Sequence, residues 1–109
     1  MYLARGHLYN AAAEFEWARR LMPDHPDPRI NLGLTLERAG RIGEALDAYA
    51  AAHDLQPEHL GAMQALARAQ LRHGRADART PGLLDAITMR GDDSWRAWAT
   101  SQRQRIQAQ

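Results

Sequence analysis

An all-α fold of stacked antiparallel helix pairs is predicted by three observations. Gly6, Ala11, Phe15, Ala18, Leu21 and Pro23 recur 34 residues later as Gly40, Ala45, Tyr49, Ala52, Leu55 and Pro57, and a fixed period of that length marks an array in which each unit buries its core against its neighbours. Gly40, Gly74 and Gly91 each follow an apolar-periodic run, where glycine most easily closes a helix. Much of the 45% hydrophobic share is Ala, which lets helix backbones approach closely.

The clearest unit spans residues 26–59. Asp27 before Pro28 reads as an N-cap with proline in the first turn, where its missing N–H costs nothing. The helix Pro28 to Ala39 carries Leu32 and Leu36 one turn apart, and Gly40 closes it. The next helix, Ile42 to Leu55, carries the stripe Ala45, Tyr49, Ala52 with Leu46 and Leu55 beside it, and Pro57 stops it. Residues 1–25 make a partial repeat whose second helix runs from Leu8 to Leu21.

Residues 60–91 form an irregular repeat. Its first helix, Leu60 to His73, places Met63, Leu66 and Ala67 inward. Pro81 falls six residues into the expected second helix, so a delayed start is predicted with Thr80 as N-cap and Leu83, Leu84, Ile87 and Met89 supplying a core. Residues 92–109 form a capping helix and tail. Asp92, Asp93 and Ser94 make its capping cluster, the helix runs from Trp95 to Gln107, and its polar remainder suits the solvated end of an array.

Leu32-Gly33, Ala45, Tyr49, Ala52 and Pro57 fall at the L-G, A, F/Y, A and P places of the tetratricopeptide repeat, and the unit resembles one full repeat of that family. Arg29 stands where the family often has Trp, and Leu36 where it often has Tyr. The resemblance implies a short right-handed solenoid ending in the C-terminal capping helix, and a role as a protein-binding scaffold. Family members that hold a C-terminal carboxylate use Lys and Asn on successive inner helices; Asn31 falls at one such Asn place, while Lys is absent from the chain.

At 109 residues the chain is one domain by size, near the lower end of what buries a self-sufficient core. It contains no Cys, which excludes disulfides and thiolate chemistry. No apolar run approaches the roughly 20 residues of a membrane span, and residues 1–10 lack the apolar block of a secretory signal; a cytoplasmic protein is expected. Every basic residue besides His is Arg, which together with abundant Ala and Gly reads as a GC-rich bacterial genome. The net charge of +1 offers no field for a nucleic acid. Arg nevertheless outnumbers acids beyond Pro57, whereas acids outnumber Arg before it.

His7, His25, His53, His59 and His73 form no H-E-x-x-H and no i, i+4 pair, so they read as surface or capping residues, and neither a metal nor a cofactor is implied. No Ser-His-Asp pattern, phosphate-binding loop or paired-acid arrangement stands out, so a non-enzymatic protein is expected. Arg90-Gly91-Asp92 spells an integrin tripeptide, but Gly91 is explained by its place at a helix end.

The remaining feature is the inner stripe. With Leu32 and Leu36 turned to the partner helix, Asp27, Ile30, Asn31, Leu34, Glu37 and Arg38 share the neighbouring face. The matching face on the next inner helix carries Gly61, Gln64, Ala65, Arg68, Leu71 and Arg72, and a shifted last helix adds Arg96 and Arg103. Two readings of this stripe stay open: a solvated face, or a groove for an acidic peptide. In the groove reading Leu34 and Leu71 give apolar contact, Asn31 and Gln64 bond to backbone, and Arg38, Arg68 and Arg72 take carboxylates. The leading expectation is thus an adaptor that binds a partner protein or acidic peptide. The alternative is a structural module that forms homo-oligomers through an apolar edge at Tyr2, Leu3 and Leu8.

Overall fold

The computed structural model describes residues 13–14, 16–18, 20–21 and 23–108. Five helices run from residue 27 onward: α1 (Asp27–Arg38), α2 (Ile42–Leu55), α3 (Leu60–Arg72), α4 (Thr80–Arg90) and α5 (Asp93–Gln107). Residues within 13–21 are helical as well, and no strand occurs among the described residues. Each helix packs on the next in chain order, and α1 also touches α3.

Two of the connections share one hydrogen-bond pattern. After α1 the Arg41 N–H donates to the Leu36 carbonyl at 2.9 Å and the Gly40 N–H to that of Glu37 at 3.0 Å; after α3 the Arg75 N–H donates to Gln70 at 2.7 Å and the Gly74 N–H to Leu71 at 3.4 Å. This is the Schellman arrangement, which requires a left-handed residue just past the helix. Gly40 (φ 80°) and Gly74 (φ 67°) supply it, at the positions the repeat spacing marks. Gly91 differs: its backbone is extended, and it is glycine because a Cβ there would meet the Ile87 carbonyl at 2.6 Å.

The helix starts depart from expectation by small steps. α1 begins at Asp27 with Pro26 in the capping place and no side-chain cap, so Asp27 lies in the first turn. There its charge favours the positive end of the helix dipole. At α3 the His59 Nδ1 accepts from the Ala62 N–H at 3.0 Å. Thr80 is the first helical residue of α4 rather than its cap. Fully buried, its hydroxyl accepts from the Asp77 N–H at 2.9 Å and donates to Gln70 Oε1 at 2.7 Å. Asp92 caps α5 by accepting from the Trp95 N–H at 2.9 Å, so the helix starts at Asp93, earlier than the expected Trp95.

The core is one continuous cluster through which Leu32, Leu36, Ala45, Tyr49, Met63, Leu66, Ala67, Leu83, Leu84, Ile87 and Ala99 run. Burying a side chain such as Leu84 contributes about 1.5–3 kcal/mol. Small residues set the spacing: Ala45, Ala52 and Ala67 are fully buried, and a Cβ on Gly33 would overlap the Tyr49 ring. Met89 does not join this core, being 80% exposed. Two residues beyond Ile87, it lies about 200° around α4 from the buried face.

Candidate interaction cleft

Glu37, near the end of α1, is a buried carboxylate on which three side chains converge. Its side chain is 7% exposed, and residues from two other helices and a helix end converge on it. Tyr49 Oη of α2 donates to Oε1 at 2.7 Å. Arg68 Nη2 of α3 donates to the same oxygen at 3.0 Å. His73 Nε2, at the end of α3, donates to Oε2 at 2.8 Å. A buried carboxylate is tolerated when its lone pairs are filled in this way. Burial pushes the Glu37 carboxyl up, but the bonds from Tyr49 and His73 and the charge and bond of Arg68 outweigh it, leaving its pKa below the ordinary 4.5. The Tyr49 phenol is pushed up, first by burial and then by its bond to the Glu37 carboxylate.

Glu37 forms the floor of a cleft of about 310 Å³ between α1 and α3, walled by Leu34, Arg38, Arg68, Arg72 and His73. On the other side of α3 the surface continues as a second cleft of about 360 Å³, lined by Arg68, Leu71, Arg72, Trp98, Gln102 and Arg105. Beside it, Arg68, Ser94, Trp95 and Trp98 enclose a notch of about 240 Å³. The two indoles meet edge to face, with centroids 5.4 Å apart and planes at 84°. Arg68 borders all three spaces and so joins them.

Arg38, Arg72 and Arg105 lie in the last turns of α1, α3 and α5. All three are exposed, and they form no ion pair among the described residues. A helix C-terminus favours a cation by about 0.3–1 kcal/mol, which accounts for the sign of the charge. It leaves the guanidinium forks without acceptors.

Of the stripe residues expected from sequence, Leu34, Arg38, Arg68, Leu71 and Arg72 line this surface. Asn31 and Gln64 lie one turn nearer the helix starts, outside the clefts' lining. Arg68 is not the free fork expected, because Glu37 of the same chain already holds it. Arg96 and Arg103 do not join the stripe. Arg96 donates to the Thr88 carbonyl at 3.1 Å and Arg103 to Asp85 at 2.9 Å, so both bind α5 to α4. The α5 residues that do face the cleft are Trp95, Trp98, Gln102 and Arg105, which an unshifted 34-residue offset from Gly61, Gln64, Arg68 and Leu71 identifies. Tyr2, Leu3 and Leu8 lie outside the described residues.

No group of three or more metal-ligating side chains gathers among the described residues, and no described helix is long and apolar enough to cross a membrane. No family model matches the chain, and no curated protein matches it significantly.

Proposed function

We propose that this chain is a non-enzymatic interaction module of the tetratricopeptide type, which holds an acidic segment of a partner protein along the α1–α3–α5 face. The observation that carries the reading is the set of three last-turn arginines, Arg38, Arg72 and Arg105, around clefts whose only carboxylate among the described residues is Glu37. Glu37 is already bonded to Tyr49, Arg68 and His73, so no described residue supplies the charge that would complement these arginines, and carboxylates of a partner would. Arg takes a carboxylate through two parallel N–H···O bonds. With exposed pairs giving about 0.2–1 kcal/mol each and Leu34 and Leu71 adding apolar contact, the expected affinity is on the order of micromolar and weakens with salt.

The test is titration of the chain with a labelled glutamate-rich peptide, comparing wild type with Arg38→Glu/Arg72→Glu. Both positions are exposed, so the chain should stay folded, losing about 1–2 kcal/mol to the reversed charges at two helix C-termini, while binding disappears. Undiminished affinity in the variant would overturn the reading. Arg68 is the wrong residue for this test, since a carboxylate there would face Glu37 and unsettle the fold.

Self-association is a second reading, favoured by Trp17 and Leu21, which are 60% and 65% exposed. Glu16, next to Trp17 in the chain, helps to line a cleft of about 310 Å³ with Leu32, Leu36 and Ala48. Solution mass measured across a concentration series separates the two readings.

A further inference from the structure

The α5 side of the cleft carries a feature that an acidic segment alone does not explain. Trp95 and Trp98 stand at right angles and are only half-buried, forming with Ser94 and Arg68 a notch of about 240 Å³. Its walls are mostly indole, and no carboxylate of the described residues borders it. Perpendicular rings make a corner, and a corner accepts one ring edge-on or one branched aliphatic side chain. It is poorly suited to nucleic acid, whose successive bases stack on parallel platforms, and the net charge of +1 supplies little attraction for a phosphate backbone.

Resting on the reading above, we propose that the notch is an anchor site and that the partner is an acidic peptide bearing one bulky apolar residue, aromatic or Leu-like. The spacing follows from helix geometry. Arg72 lies one turn beyond Arg68, about 6 Å along α3, and Arg105 lies about 10 Å beyond Trp98 along α5. An extended peptide advances about 3.3 Å per residue, so its carboxylates fall about two to three residues from the anchor. The anchor fills the indole corner, and Arg72 and Arg105 take the carboxylates from either side. Arg68 cannot serve in their place because Glu37 holds it, and it acts as the wall that joins notch to cleft. The composition of the site therefore requires both an apolar group and negative charge, at a fixed separation.

The probes are three labelled ten-residue peptides, with central sequences Phe-Ser-Glu-Glu, Ala-Ser-Glu-Glu and Phe-Ser-Gln-Gln, and a ten-nucleotide oligouridylate. Each is titrated against the full chain and against Arg105→Gln. The first peptide should bind tightest; Ala in the anchor place should weaken it about tenfold, the increment of one buried apolar side chain. The Gln peptide should bind about tenfold more weakly than the first and lose most of the salt dependence. Equal binding of the Phe and Ala peptides would overturn the anchor while leaving the acidic-segment reading standing. Equal binding of the Glu and Gln peptides, or no binding of any peptide at millimolar concentration, would overturn both. Tighter binding of the oligouridylate than of any peptide would replace the peptide with a nucleic acid. Because the peptides are varied against the unaltered chain, the result does not depend on whether Trp98→Ala folds. Where that variant does fold, it should bind the Phe and Ala peptides equally, since the lost contact is shared.

Discussion

Glu37 and Arg38 are neighbours in the chain, yet they stand at opposite limits of polar satisfaction. Glu37 is buried and takes hydrogen bonds from Tyr49, Arg68 and His73. Arg38 is exposed and without an acceptor among the described residues. The two edges of the cleft differ in the same way. Between α1 and α3 a carboxylate ties the helices together; between α3 and α5 the surface offers the open sides of two indoles that pack on the core, an amide, and the guanidinium groups of Arg72 and Arg105, unpaired among the described residues. The knot therefore belongs to the fold, the open edge is where the proposed binding would take place, and mutations should separate the two.

The largest effect is expected at the knot. Glu37→Ala leaves the fully buried Tyr49 hydroxyl and two cationic or polar donors without their acceptor, and should cost about 3 kcal/mol of unfolding free energy in urea. Arg38→Ala, one residue away, should stay within about 0.5 kcal/mol. Equal losses at the two positions would remove the distinction between structural and recognition edges. Gly33→Ala strikes the same knot from beneath: a methyl there would overlap the Tyr49 ring. Overpacking of this kind costs about 1–3 kcal/mol, and the Glu37 bond should weaken with it.

Which of these features the sequence reveals depends on how locally each is determined. The helix ends at Gly40 and Gly74 and the inward set Leu32, Ala45, Tyr49 and Leu66 follow from the repeat spacing, because each reflects a backbone or packing demand repeated in phase. The knot does not, since its donors on Arg68 and His73 lie 31 and 36 residues from Glu37. A charged residue on a predicted polar stripe looks solvated until the facing helix is placed. A two-residue offset in the last helix would place Arg96 and Arg103 on the cleft. That offset suits the buried Ala99, the counterpart of Ala67, but it rotates the arginines onto the wrong face. The apolar character of Met89 suggests a core place, but two residues past the buried Ile87 it faces outward.

Acid titration gives an intermediate effect and sharpens the comparison. A carboxyl whose folded pKa is depressed binds its proton more readily when unfolded, so Glu37 contributes stability above its ordinary 4.5 that is lost as pH falls through the lower folded value. His53 has a depressed pKa as well, first from burial and then from the Arg79 charge, with Asp54 opposing. Its stabilising contribution is present above the ordinary 6.5 and is lost as pH falls below it. Unfolding midpoints should accordingly decline in two stages. His53→Gln should remove the upper stage and Glu37→Gln the lower. A single decline that neither variant alters would show that other carboxylates govern acid unfolding.

The smallest effect is expected from two arginines of α5 that sit two residues apart. Arg103 donates to Asp85 at 2.9 Å across the α4–α5 seam, while Arg105 reaches the open cleft. The Arg103 pair is partly solvated, its side chains being 32% and 58% exposed, so Arg103→Gln should lower stability by no more than about 0.5 kcal/mol. The substitution should leave peptide affinity unchanged, because the guanidinium points to α4. Arg105→Gln should cost a similarly small amount of stability, through the last-turn charge it removes, but should reduce the affinity for an acidic peptide up to about fivefold, the equivalent of one exposed ion pair. Urea unfolding and peptide titration on both variants read the four quantities directly. If Arg103→Gln weakens binding as much as Arg105→Gln does, the peptide is held by the general positive charge of α5 rather than by the face that meets Arg72 and Trp98.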